Sequence, residues 1–172
     1  SYGLAAQTGC PDCELTLPDA IQQGTFYLQE FPDGEFRIAY EENVSFRLPT
    51  NTSQILYLIP SLPAGIGVGE LAIKSINNLP AGLSWESSQG NYKLPEERDG
   101  CIKICGTPFE YGLFKLEITV TAQVSILSQD ATFTRNFYIA PPTTTNNGFT
   151  MTNNIGCGNT TVEFENNNPS NG

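Results

Sequence analysis

Leu79-Pro80-Ala81-Gly82-Leu83-Ser84-Trp85, then Gly100-Cys101-Ile102-Lys103-Ile104-Cys105-Gly106-Thr107-Pro108, then Tyr111-Gly112-Leu113-Phe114-Lys115-Leu116-Glu117-Ile118-Thr119-Val120-Thr121-Ala122 spell turn, short strand, tight turn, long strand. Pro-Ala-Gly and Gly-Thr-Pro are turn chemistry, because proline presets φ and glycine supplies the positive φ that other residues resist. In the last stretch Phe114, Leu116, Ile118, Val120, Ala122 and Val124 fall on one face, and Lys115, Glu117, Thr119, Thr121 and Gln123 on the other. Period two held over eleven residues reads as a half-buried strand, since a helix would scatter those apolar side chains around its axis.

The same pattern extends in both directions, from Ala20 to Ala140. Val44, Phe46 and Leu48 alternate with Asn43, Ser45 and Arg47, which predicts a strand with one wet face. Ile55 to Ile59 is a continuous apolar run closed by Pro60, suited to a strand buried on both sides. Leu62-Pro63-Ala64-Gly65 breaks the chain, and Glu70 to Ile76 resumes it. Thr132 to Ala140 supplies a partner strand in which Phe133, Phe137 and Ile139 share a face with Arg135, a charge that belongs either at a sheet end or beside a carboxylate.

Pro141-Pro142-Thr143-Thr144-Thr145-Asn146-Asn147-Gly148 has no period and only small polar side chains besides its prolines, so residues 141–148 read as a linker. Residues 8–140 are then one domain. Beyond the linker, residues 149–172 carry one further strand, with Val162 and Phe164 on a face. A single strand cannot bury itself, so it opens a second domain or docks on the first. Residues 1–7 have the small-residue character of a signal-peptide remnant or N-terminal tail.

Composition agrees with strands and turns: 16 Gly, 12 Pro and ten Phe with few helix formers favour an all-β chain. The net charge of −10 repels phosphate backbones and anionic headgroups, so neither nucleic acid nor direct membrane insertion is expected. No stretch approaches the roughly 20 apolar residues of a spanning helix.

Two resemblances rest on these residues. Cys10-Pro11-Asp12, Phe31-Pro32-Asp33-Gly34, Tyr40, Leu48-Pro49-Thr50, Ile76-Asn77-Asn78-Leu79-Pro80-Ala81-Gly82-Leu83-Ser84 and Gly100 to Pro108 together resemble the N-terminal immunoglobulin-like domain of secreted Bacteroidetes surface proteins exported by the type IX secretion system. The resemblance implies an immunoglobulin-like antiparallel β-sandwich, a secreted or cell-surface location, and a sorting domain that would follow residue 172. That family often has a cysteine soon after the Gly-Leu-Ser-aromatic element; here Trp85-Glu86-Ser87 stands there, so that bridge does not carry over. Gly156-Cys157 with Thr161-Val162-Glu163-Phe164 and Asn166 resembles the opening of a polycystic-kidney-disease (PKD) repeat, an immunoglobulin-like spacer.

The five cysteines, Cys10, Cys13, Cys101, Cys105 and Cys157, suit an oxidising compartment. C-x-x-C and C-x-x-x-C spacings allow a four-thiolate zinc site on paper, and a thioredoxin-like pair would need a βαβ pattern that is not there. On a strand holding Ile102 and Ile104 inward, Cys101 and Cys105 point outward about 13 Å apart, too far to bond each other. The expectation is therefore that Cys10 and Cys13 each pair with one of them. Cys157 is left over, a free thiol or one whose partner lies elsewhere.

Catalytic templates find little support. The absence of histidine removes Ser-His-Asp and Cys-His systems. Gly65-Ile66-Gly67-Val68-Gly69 has neither the spacing nor the following helix of a phosphate loop. Glu96, Glu97 and Asp99 beside Lys93 and Arg98 could suggest a glycosidase pair or a calcium site, but they lack aromatic subsites and a D-x-D-x-D spacing. Three N-x-S/T sequons at Asn43, Asn51 and Asn159 read as coincidence. Trp85 and Tyr92 are candidate glycan contacts if both are exposed, whereas a core tryptophan is the ordinary state of such a sandwich. The expectation is a non-enzymatic module without metal or cofactor, whose partners are other cell-surface or secretion-system proteins, with glycan binding as the alternative and a glycosidase fragment as the weaker one.

Overall fold

The alternation read from the sequence becomes nine strands in two sheets. The computed structural model describes residues 9–21, 25–142, 149–152 and 163–166. The chain divides into two compact units, Ser1–Pro141 and Pro142–Gly172. In the first unit the strands are β1 (Tyr27–Leu28), β2 (Gly34–Glu35), β3 (Tyr40–Arg47), β4 (Val68–Asn77), β5 (Leu83–Ser87), β6 (Tyr92–Lys93), β7 (Asp99–Gly106), β8 (Gly112–Val124) and β9 (Leu127–Ala140). One sheet has the order β1-β3-β7-β5 and the other β2-β9-β8-β4-β6. All pairs are antiparallel except β2 with β9.

Lettered along the chain, the first sheet is A-B-E-D, and the second contains C, F and G from β4, β8 and β9. This is the division of strands that defines an immunoglobulin-like sandwich. Side chains from both inner faces make one core, with Phe46, Ile102, Ile104, Leu116, Phe137 and Ile139 nearly or wholly buried. The second unit contains a two-stranded antiparallel ladder of β10 (Phe149–Thr152) and β11 (Glu163–Asn166). The strand read around Phe164 is described over Glu163–Asn166 and pairs there with Phe149–Thr152, while Val162 lies outside the described residues.

The quoted turns meet backbone to backbone. The Thr107 amide donates to the Gly82 carbonyl at 3.1 Å and the Phe109 amide to the Ala81 carbonyl at 2.8 Å, while Leu83 lies opposite Gly106 in the ladder. Gly82 and Gly106 have φ of 93° and 130°, conformations that L side chains rarely adopt. The long strands are also confirmed, with β9 starting at Leu127, five residues before the Thr132 read from the sequence.

Three expectations change. Ile55 to Ile59 is not a strand. A 3-10 helix spans Thr52–Ile55, capped by the Asn51 side chain accepting from the Ser53 amide, and turns follow it. Thr52 is buried and bridges the loop, donating to the Pro63 carbonyl at 2.7 Å and accepting from the Ile66 amide at 3.0 Å. A short apolar run cannot by periodicity distinguish a strand from a helical turn.

Secondly, the outer face of β3 is not fully wet: Ser45 is completely buried because its hydroxyl accepts from the Thr16 amide at 2.9 Å, under the N-terminal segment. Thirdly, Arg135 takes neither expected place. It lies within β9 with its guanidinium 5.7 Å from the centre of the Phe133 ring, a cation–π contact.

Candidate interaction surface

Two disulfides fix that N-terminal segment. Cys10 joins Cys105 with Cα atoms 5.6 Å apart, and Cys13 joins Cys101 at 6.0 Å. Both partners lie on β7, so Cys10 to Cys13 forms a strap over the outer face of the first sheet. Lys103, between the two bridged positions, is buried under it, with its ammonium 3.0 Å from Glu41. Glu14 adds a further tie, its amide donating to the Asn43 side chain at 3.3 Å. Cys157, the sequon at Asn159, the first residues 1–7 and most of the linker and PKD-like stretch lie outside the described residues.

The two candidate glycan contacts separate. Tyr92 is fully buried, with its ring edge-on to Phe46 at 5.4 Å. Its hydroxyl lies 2.7 Å from the Ser87 hydroxyl and 2.8 Å from that of Ser88, and accepts from the Gln89 amide at 3.2 Å. No sugar can reach that ring, because β6 tucks it into the core at the end of the sheet. Trp85 is half-buried opposite Ile104 and packs against the core cluster. The pair therefore makes no stacking platform. Tyr92→Phe is expected to cost about 1–3 kcal/mol, since it leaves buried hydroxyl partners unsatisfied; equilibrium urea unfolding measures it.

Two members of the acidic cluster bond the frame, while Glu96 is exposed. Asp99 forms a two-pronged pair with Arg47, at 2.7 Å from Nε and 2.8 Å from Nη2, across the β3–β7 ladder. The Glu97 carboxylate accepts from the Lys93 amide at 2.9 Å. Among the described residues no group of three or more acidic or cysteine side chains is placed to hold a metal ion.

The hydrogen bonds from Arg47 hold the Asp99 carboxyl below its ordinary value. A depressed folded pKa contributes stability that is present above the unfolded value of about 3.9 and is lost as pH falls through the folded one. Asp99→Asn is thus expected to lower stability at neutral pH and to flatten its decline below about pH 4. Urea midpoints across that range test it; an unchanged acid limb would refute the pairing.

Exposed apolar side chains occur at several places, among them Leu15, Tyr57 and, in the β8–β9 turn, Ile126 and Leu127; a group of four lies toward the opposite end of that hairpin. Ile38, Phe109, Tyr111 and Leu113 are 57–69% exposed. The β2–β3 turn meets the β7–β8 loop there, with the Arg37 amide donating to the Pro108 carbonyl at 2.9 Å. Phe36 and Tyr111 pack edge to face at 5.4 Å, and Arg37 covers the Phe36 ring at 5.0 Å. Leu113 and Tyr138 are cross-strand neighbours on the outer face just beside it. Sequence reasoning did not single out this surface; its signal was Leu113, an apolar residue in phase with the wet side chains Lys115 and Glu117.

No family model matches the chain, and no curated protein matches it. Among solved structures, the Vibrio cholerae VesB protease is similar at a TM-score of 0.37 and 10% identity over 66% of this chain; the chain spans 32% of the protease. The ASH/PapD-like domain 7 of human CEP192 is similar at 0.38 and 10% identity, covering 77% of this chain and 99% of that domain. Likenesses of this size carry no function across. No helix among the described residues is long and apolar enough to cross a membrane.

Proposed function

We propose that this chain is a non-enzymatic, extracellular immunoglobulin-like module that makes protein–protein contacts, part of a secreted or cell-surface protein of the Bacteroidetes type exported by type IX secretion, with a PKD-like repeat following it. The observation that carries the contact role is the exposed apolar end around Phe109, Tyr111 and Leu113, since side chains of that kind clustered on a surface mark interaction sites. The two disulfides support an oxidising compartment, and of the three carboxylates weighed for catalysis Asp99 is paired with Arg47 and Glu97 accepts from the Lys93 amide.

A photo-crosslinking residue at Phe109, in the parent protein on its cells, is expected to yield a defined protein adduct that the same residue at exposed Glu96 does not. Equal adducts at both positions, or glycan-array binding abolished by Trp85→Ala, would overturn the reading.

A further inference from the structure

The strands at the sheet edges are short, Tyr27–Leu28, Gly34–Glu35, Leu83–Ser87 and Tyr92–Lys93, so that β3, β4 and β9 run past their short partners; β4 carries Lys74 and a register shift between Ile73 and Ser75 there. β9 is fourteen residues long, and its outer side is paired only at Ile139 and Ala140, by β2. Which of its groups are free follows from the hairpin. Ser125 and Ile126 form a two-residue turn with Ser125 at φ 59°, closed by Val124 opposite Leu127. Such a primed turn is closed by a hydrogen-bonded pair, and bonded and non-bonded pairs then alternate along the ladder.

The register to β8 continues without a shift. Odd-numbered residues of β9 therefore bond β8, and the N–H and C=O of Ser128, Asp130, Thr132, Thr134 and Asn136 point outward. The Ala140 carbonyl, accepting from the Phe36 amide at 3.0 Å, follows the same parity. Among the described residues nothing pairs with these five.

Natural edges of this length are usually blunted by proline, lysine, a bulge or a covering segment. Leu127 to Asn136 has no proline, no lysine and no bulge, and its charges are Asp130, paired with Lys74, and Arg135, near the far end of the segment. Instead a cleft runs beside it. Toward one end lies a slot of about 50 Å³ between the sheets, lined by apolar side chains including Phe26, Leu28, Ile73, Val120 and Phe133. Toward the other lies an open groove of about 810 Å³ bounded by Leu28, Phe31, Arg135 and Tyr138.

We infer that β9 accepts an added β-strand from a partner: an extended peptide with apolar side chains at alternate positions. Its backbone bonds the five free residues, one small inward side chain enters the slot beside Phe133, and the others lie against the groove. A second copy of this chain fits poorly. The inward side chains of its own β9, Phe133, Phe137 and Ile139, are held in its own core, and two chains of charge −10 repel. The inference deepens the contact role proposed above and rests on it.

The test uses a phage-displayed library of random dodecapeptides against the intact disulfide-bonded protein. Enriched peptides are expected to alternate apolar residues and to slow amide exchange across Ser128–Asn136 in the unaltered protein. Thr134→Pro removes an outward N–H while sparing the bonds to β8, and is expected to weaken binding at least about tenfold. The exchange measurement stands even if that variant folds badly. Failure to enrich any peptide, or enriched peptides that protect other strands or bind Thr134→Pro equally well, would overturn the β9 site, while the Phe109 crosslink judges the wider contact role separately.

Discussion

The quadruple variant Cys10→Ser/Cys13→Ser/Cys101→Ser/Cys105→Ser is expected to lose about 7 kcal/mol of stability, whereas removing either bridge as a pair costs only about 2–3 kcal/mol. The reason is topological. The bridges span 95 and 88 residues, and the first to close such a loop removes about 4.7 kcal/mol of unfolded-chain entropy. With that loop closed, the second closes a ring of only about ten residues, through Cys10 to Cys13 and Cys101 to Cys105, which accounts for the smaller figure. Either bridge can thus stand in for the large loop, and only their joint removal frees it.

Domains of this kind have total stabilities of about 5–15 kcal/mol, so each pair variant stays folded throughout that range, while the quadruple variant unfolds in its lower part. Urea unfolding followed through Trp85, the single tryptophan, gives the two pair values, and for the quadruple variant either its value or, if no transition is left, a loss at least equal to the parent's stability. A quadruple variant as stable as either pair variant would show that the strap is held by Thr16, Glu14 and their partners alone.

The second large effect is expected at the meeting of the two turns. Gly106→Ala would place its Cβ against the Gly82 carbonyl, and Gly82→Ala would place one against that of Thr107, both well inside van der Waals contact. Each substitution adds left-handed strain of about 1–2 kcal/mol. Each also forces apart turns joined by two hydrogen bonds, worth about 0.5–1.5 kcal/mol apiece. A loss of about 2–5 kcal/mol is expected for either. Gly65→Ala is the control: its φ is 80° but an added Cβ meets nothing within 4 Å, so only the strain of about 1–2 kcal/mol remains. Equal losses at Gly65 and Gly106 would show that the close approach contributes nothing beyond φ.

The parts of the fold that were legible are those in which each residue's role is local. β8 could be read because its alternation is long enough to exclude a helix, and the outward placement of Cys101 and Cys105 followed from the inward placement of Ile102 and Ile104. The Ile55 to Ile59 run was misread because its length carries no period. Ser45 was misread because what covers it lies 29 residues away along the chain. Tyr92, five residues beyond the end of β5 at Ser87 and flanked by the polar Asn91 and Lys93, carried no local signal of burial. Its ring is buried only because Phe46 and the serines of β5 and its turn converge on it.

By itself the sequence determined the alternation of β3, β8 and β9, the glycine turns, the all-β class and the demand that Cys101 and Cys105 find partners elsewhere. These follow from backbone sterics and from period two, which act between near neighbours. Only the tertiary structure decided which cysteine bonds which, that Tyr92 leaves Trp85 for the core, that the β2–β3 turn meets the loop of Phe109 and Tyr111, and that the long edge of β9 stays open. Each of those depends on segments far apart in the chain arriving at one place, where packing rather than local preference chooses the outcome.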